Sequence, residues 1–444
     1  MAQAYDVLVI GSGPLGAAAA RRLTDQGQDV LIIEQGPSIS DPPGSHVRNA
    51  ERFRNDPDSY LPVATSYLEF FDDTAERNHL PGAAVTRARG GQGTIWTNLC
   101  PRGDAPWDAL TLVEWETYYG IAEEYLGVQA EGFEQSIRQQ HIRTRLGEAL
   151  VAKRRTIEAL PVAAQFDSTD HLYFTAPHDI LAGAEGRVEI ASGNAQKLLT
   201  EGSRVTGVVI DSKVVEARIV VVAAGAIGTP QLLHRSAIRP KALGRWLSYH
   251  PLLVAQLVLD ETLCAAPGVH DREPRLQIRA GGEIDWYALV LRDVSPFKPV
   301  ESDVTIDPNR LVEIQMICPV DLNEDKRIVF NETGQPTFCV ELSADDRARM
   351  TNAVADCDAL TAQLGRYRAG CRPDWMPFGF AHMTGTTRMS ANDDGSGVAD
   401  HDGRVWGYDN LYLATNGLIP TRMTVNPTLT GVALAVFVAD RIVR

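Results

Sequence analysis

Residues 5–34 constrain the fold of this chain more than any other stretch. Tyr5 to Ile10 (YDVLVI) is a short aliphatic run suited to a fully buried parallel strand, and it ends in the glycine-rich turn GSGPLG. There Gly11, Gly13 and Gly16 enclose Pro14 and Leu15, and an alanine-rich amphipathic helix follows, closed by Gly27. A second buried strand, DVLIIE, then ends in Glu34, with Gln35 next. Strand, GxGxxG turn, helix, strand and acid are the order of a Rossmann-like dinucleotide fold. The first glycine permits the tight turn, the second lets backbone N–H groups reach a diphosphate at the helix N-terminus, and the third lets helix and strand pack closely. Glu34, 18 residues after Gly16, suits the ribose hydroxyls of an adenosine and disfavours a 2′-phosphate. FAD and NAD share this fingerprint, so it does not choose between them.

At 444 residues the chain exceeds the usual size of a single core, so two domains are expected. Its net charge of −15 and the absence of any Lys/Arg block argue against nucleic acid or an anionic membrane as partner, and for a small molecule. Six cysteines without CxxC spacing indicate neither a metal site nor a redox motif, and read as reduced core residues. With no secretory signal pattern and no 18-residue apolar span, a cytoplasmic location is expected.

Other segments carry chemistry. The run Glu216 to Ser236 (EARIVVVAAGAIGTPQLLHRS) is a further strand–helix unit through Ala224, preceded by VEIASGNAQKLL and an alternating, antiparallel-like insertion. The stretch TRARGGQGTIWTN, Thr86 to Asn98, packs three glycines before a bulky run, which implies close approach of backbone to another group. Near the end lie HMTGTTRMS from His382, NLYLATNG containing Asn416, and NPTLTGVALAVFVADRIV from Asn426. The last reads as a long apolar helix with Asn426 at the N-cap and Pro427 at the first helical position.

Together the GSGPLG turn with Glu34, the AAGAIGTPQLL segment and the His, GTxRM, NLY and NPTLT series resemble the glucose-methanol-choline (GMC) oxidoreductases, FAD enzymes that oxidise alcohols. TRARGGQGTIWTN and HMTGTTRM followed by NPTLT are most similar to the pyranose oxidase and bacterial glycoside oxidase branch. The resemblance implies that His382 is the catalytic base and Asn426 its partner, since alcohol oxidation removes a hydroxyl proton as a hydride leaves carbon. It implies cofactor contacts at Gly11, Gly13, Pro14, Leu15, Gly16, Glu34 and Gln35. Further contacts are implied at Arg89, Gly91, Gly93, Thr94, Trp96 and Thr97, at Ala195 and Ala224, and at Asn416, Pro427, Thr428 and Leu429. Thr97 is expected near flavin N5, and the helix after Asn426 is expected to direct its N–H groups at the flavin pyrimidine. Where the branch carries a histidine bonded covalently to the flavin, this chain has Ile95, so the FAD is expected to be non-covalent. His250, in GRWLSYHP, matches a motif whose role in the family is chiefly structural, and it is assigned no chemistry.

The expected fold class is therefore α/β. A discontinuous Rossmann-like FAD-binding domain comprises residues 1–105, 180–255 and 378–444. A substrate domain at 256–377 is built on a mostly antiparallel sheet backed by helices, and 106–179 forms a helical cover or cap. Ser38 to Pro62 reads as a loop or lid. The expected activity is oxidation of a secondary alcohol of a sugar or glycoside to a ketone, with electrons leaving to O2 or a quinone-like acceptor. The alternatives are a FAD-containing hydroxynitrile-lyase-like protein, or an oxidoreductase acting on a non-sugar alcohol. No metal is expected, and neither the substrate nor the oligomeric state is legible in the sequence.

Overall fold

The computed structural model describes residues 5–56, 59–71, 80, 82–103, 110–151, 154–184, 186–279, 286–292, 297, 300–376 and 381–444. The expected domain borders at 105/106 and at 378 lie outside these residues.

Five parallel strands form the first sheet, in the order Leu411–Leu413, Ile219–Val222, Val7–Ile10, Val30–Glu34, Val188–Ser192. The aliphatic strands at its centre are covered on both faces, which is why they read as unbroken apolar runs and not as alternating ones. Helix Pro14–Asp25 packs against this sheet and against the C-terminal helix Thr428–Val443. Leu429 to Ala439 are buried without a break, the behaviour of a helix that is apolar on all sides. An antiparallel meander, Ala195–Glu201, Arg204–Ile210 and Lys213–Glu216, fills the crossover between two of the parallel strands.

The second sheet is antiparallel and has seven strands. Leu252–Leu259, Leu311–Ile317, Tyr287–Leu291, Arg275–Ile278 and Ile157–Ala159 follow one another, and Gly365–Tyr367 and Asp374–Met376 pair along the other side of Leu252–Leu259. The border expected after residue 255 falls inside Leu252–Leu259, a continuous strand that this sheet takes whole. Alternation divides its residues between two faces. Leu253, Ala255, Leu257 and Leu259 join a core with helices Ile137–Leu150 and Ala344–Leu364. Leu252, Val254 and Gln256 face the other way, register with Ile317, Gln315 and Glu313, and look toward the parallel-sheet body.

The segment 106–179 does not act as one cover. Helix Leu112–Leu126 packs on the C-terminal helix, with Tyr118 edge-on to Phe437 at 5.3 Å between ring centroids. Helix Ile137–Leu150 backs the antiparallel sheet instead, and Ile157–Ala159 extends it. Of the expected lid, Val47–Asn49 is a short 3-10 turn and Glu51–Asn55 and Tyr60–Thr65 are short helices. No helix among the described residues is long and apolar enough to cross a membrane.

Candidate active site

A cavity of about 580 Å³ lies between the two sheets. One wall consists of residues at or just beyond the carboxyl ends of the parallel strands: Ile10 and Gly11, Ile33 and Glu34, Ala223 and Ala224, Ala414 and Thr415. That is where open α/β sheets place ligands. The opposite wall is the inward face of the antiparallel sheet, through Leu252, Val254, Gln315 and Ile317.

Of the predicted residues, Gly11, Gly13, Pro14, Leu15, Glu34, Gln35, Gly91, Gly93, Trp96, Thr97, Ala195, Ala224, His382, Asn416, Asn426, Pro427 and Thr428 all line this cavity. Four do not. Gly16 sits one turn into its helix, where a Cβ would run into the Gly11 carbonyl and lie 3.1 Å from the Ala223 side chain. Thr94 is fully buried and donates its hydroxyl to the Gly91 carbonyl at 2.9 Å. Leu429 points into the core. Arg89 lies beside Gly44 instead, its backbone N–H donating to the Pro37 carbonyl at 2.9 Å.

At one end the turn, the acid and the glycine loop form a single unit. Ser12 donates its backbone N–H and its hydroxyl to Glu34 Oε2 at 3.0 and 2.7 Å, Gly36 N–H donates to Glu34 Oε1 at 2.7 Å, and Gly90 N–H donates to the Ser12 hydroxyl at 2.8 Å. A carboxylate accepts about four hydrogen bonds, so Glu34 keeps capacity toward the cavity. The glycines of the loop serve a packing purpose that differs from direct flavin contact alone. A Cβ at Gly91 would lie 3.2 Å from Gly13 Cα, and one at Gly93 would lie 2.6 Å from Pro14 Cγ and 2.8 Å from Pro177 Cδ. They let the loop seat against the dinucleotide turn itself.

Ile95 to Asn98 is held from several sides. Tyr60 donates its hydroxyl to the Ile95 carbonyl, and His46 Nε2 meets the Trp96 carbonyl at 2.9 Å. The Trp96 indole donates to the Thr175 carbonyl at 3.0 Å, and the Asn98 amide donates to the carbonyls of Ala163 and Thr175 at 2.7 Å each. The Ile95 side chain belongs to an apolar cluster with Val47, Phe53, Tyr60 and Ala64.

At the other end stand His382 and Asn426, with Nε2 and Nδ2 3.0 Å apart. The expected N-cap is not formed: the final helix starts at Thr428 after Pro427, without a side-chain cap, because the Asn426 side chain is turned to His382. His382 adopts a left-handed backbone, φ 63°, uncommon outside glycine. Reciprocal backbone bonds between Ser248 and Thr384, 3.0 and 2.8 Å, anchor the segment beside it. Burial lowers the His382 pKa to about 4, below the near-neutral value that base chemistry suggested, and among the described residues no carboxylate touches the ring to favour its charged form.

Three cavity residues to which the motifs assigned no chemistry stand out. His250 stacks on His382, ring centroids 4.7 Å apart and planes 31° from parallel. Gln315 presents an amide to the cavity between Val254 and Ile317, and its Nε2 donates to the buried Glu313 at 3.4 Å. Tyr60 comes from the stretch read as a lid. Strand alternation through LVEIQMI held the one available signal, since it sets Gln315 and Ile317 on one face.

These residues fit a flavin dinucleotide. A Cβ built at Gly13 meets nothing within 4 Å, so the turn opens into the cavity where a diphosphate would lie. Glu34 stands on the cavity wall beside that turn, and Asn416 and Asn426 bring buried amide oxygens that have no partner among the described residues.

The family profile of GMC oxidoreductases matches residues 180–252 and 330–435, and that of the NAD(P)-binding Rossmann-like domain matches 9–62. The chain is similar to a C-glycoside 3-oxidase of Microbacterium trichothecenolyticum, 31% identical over 97% of this chain and 95% of that protein. It is also similar to a pyranose 2-oxidase of Tricholoma matsutake, 28% identical over 99% of this chain and 93% of that protein. Among solved structures, a pyridoxine 4-oxidase from Mesorbium loti shares the fold, with a TM-score of 0.66, 16% identity and coverage of 98% and 99% of the two chains. The dinucleotide turn, the cavity at the strand ends and relatives matched along nearly the whole length lead to one assignment: this chain belongs to the GMC oxidoreductase family, FAD-dependent oxidoreductases that act on CH–OH donors.

Proposed function

We propose that this chain oxidises a secondary alcohol of a sugar or glycoside to a ketone, using FAD held without a covalent bond. The observation that carries the reading is the His382–Asn426 pair at one end of the same cavity whose other end presents the GSGPLG turn and Glu34. The activities of the relatives support the sugar or glycoside class.

FAD, when bound, supplies the acceptor for the hydride that leaves the carbinol carbon. The chain's residues do the rest. Neutral His382 takes the hydroxyl proton, and Asn426 orients the same hydroxyl through its amide. Burial keeps His382 neutral at pH 7 and therefore competent as an acceptor. The start of the C-terminal helix, at Pro427 and Thr428, turns a positive dipole end toward the cavity, where negative charge on a reduced cofactor would collect. Ile95 offers no nucleophile, so hydrogen bonds and packing retain the cofactor. The electrons would leave the site to O2 or a quinone-like acceptor. We assign the parallel-sheet body to cofactor binding and the antiparallel sheet to the substrate.

Anaerobic mixing with a panel of hexoses, glycosides and simple alcohols tests this. The expected result is bleaching of the flavin's visible absorbance by sugars or glycosides, with a keto product. Bleaching by non-sugar alcohols alone would move the substrate class, and cleavage of a hydroxynitrile without bleaching would establish the lyase alternative.

A further inference from the structure

His250 is buried, at 4% exposure, and neither of its ring nitrogens has a hydrogen-bond partner among the described residues. Such groups are rare in folded proteins, and each costs about 1–3 kcal/mol when left unsatisfied. An apolar ring of the same shape would avoid that cost, so packing alone gives no reason for an imidazole here. The ring is nevertheless firmly placed. Pro251 follows it and leads into the strand at Leu252, and the backbone bridge between Ser248 and Thr384 fixes its segment against that of His382. It stacks on His382 at 4.7 Å and lines the cavity beside Leu252. No carboxylate contacts either ring among the described residues, so the pair is not a base with an acidic orienting partner.

We propose that His250 is a substrate-binding residue, whose imidazole hydrogen-bonds the hydroxyl on the carbon next to the one oxidised. A neutral imidazole carries one donor and one acceptor, and a hydroxyl serves either. Two imidazoles stacked this closely meet neighbouring hydroxyls of a sugar ring and not its opposite ends. While His382 takes the proton of the reacting hydroxyl, His250 reads the adjacent one, and the site selects a vicinal diol over an isolated secondary alcohol. Substrate binding then satisfies a group that the described residues leave unpaired. This rests on the sugar or glycoside reading above.

The test uses the FAD-loaded protein, methyl β-glucopyranoside and its monodeoxy derivatives, with the oxidised carbon located by NMR of the product. The wild type is expected to lose about 10- to 100-fold in kcat/KM when the hydroxyl next to the oxidised carbon is absent, the effect of one buried group left unpaired. His250→Phe is expected to keep its FAD and a Tm at or above that of the wild type. It should lose about the same factor on the parent glycoside, so that its preference for parent over deoxy substrate collapses toward one. Equal wild-type rates on parent and deoxy substrates, or full discrimination retained by His250→Phe, would overturn the proposal and leave the sugar reading standing. Failure of every member of the series to reduce the flavin would overturn both.

Discussion

His382 and Asn426, 44 residues apart in sequence, meet with 3.0 Å between Nε2 and Nδ2. In a neutral imidazole one ring nitrogen donates and the other accepts, so the direction of this bond follows the tautomer of His382. On the proposed mechanism a substrate hydroxyl replaces this mutual bond, giving its proton to the Nε2 lone pair and accepting from the amide.

Replacing His382 by Ala should slow flavin reduction about 10²- to 10⁴-fold, the usual contribution of a general base, with FAD still bound. Asn426→Ala should cost less, about 10-fold, because it removes orientation and not the proton acceptor. Anaerobic stopped-flow reduction, with FAD content measured on the same samples, checks both.

The pH dependence follows from the His382 pKa of about 4, lowered by burial. The reduction rate should stay level from neutral pH down to about 5 and fall as His382 protonates near 4. Stability has a matching sign: between the folded value and the ordinary value near 6.5 the unfolded chain binds a proton that the folded chain does not, so stability rises with pH across that window. His250, whose pKa burial pushes well down, adds in the same direction. Thermal melts from pH 4 to 7 should show Tm increasing to about pH 6.5; a melt independent of pH would contradict the buried, neutral state of the pair.

Two glycine substitutions should separate folding from cofactor binding. Gly93→Ala forces a methyl against Pro14 and Pro177 and should destabilise the protein by about 1–3 kcal/mol. Gly13→Ala meets no protein atom within 4 Å, and its backbone, φ −61° and ψ 177°, suits alanine. It should keep the apo protein's stability and weaken FAD binding. Denaturation curves with and without added FAD distinguish the two.

Heat or acid denaturation should release free FAD into the supernatant, because the Ile95 side chain packs among Val47, Phe53, Tyr60 and Ala64 and offers no atom for a flavin bond. Flavin fluorescence retained on the precipitated chain would contradict this.

The parallel sheet and its turn were legible because their signals are local. Strand, glycines, helix and Glu34 lie within thirty residues, and each is dictated by backbone freedom or burial next to it. His382, Asn426 and most of the lining residues followed from a resemblance carried by short motifs. Where local signals misled, tertiary contacts explain it. Asn426 had the makings of an N-cap, but its side chain bonds His382 instead. The helices of 106–179 had amphipathic spacing that gave no partner, and they divided between two cores.

By itself, the sequence determined that residues 5–34 form a Rossmann-like strand, turn, helix and strand ending in Glu34, and the resemblance set Ile95 where a histidine was expected. Only the tertiary structure decided that His250 lies against His382, that Gln315 looks into the cavity, and that Gly91 and Gly93 seat against Gly13 and Pro14. The physical reason is that these relations depend on strand register and on the closure of the second sheet over the first, and such long-range pairings leave no periodic trace in any one segment.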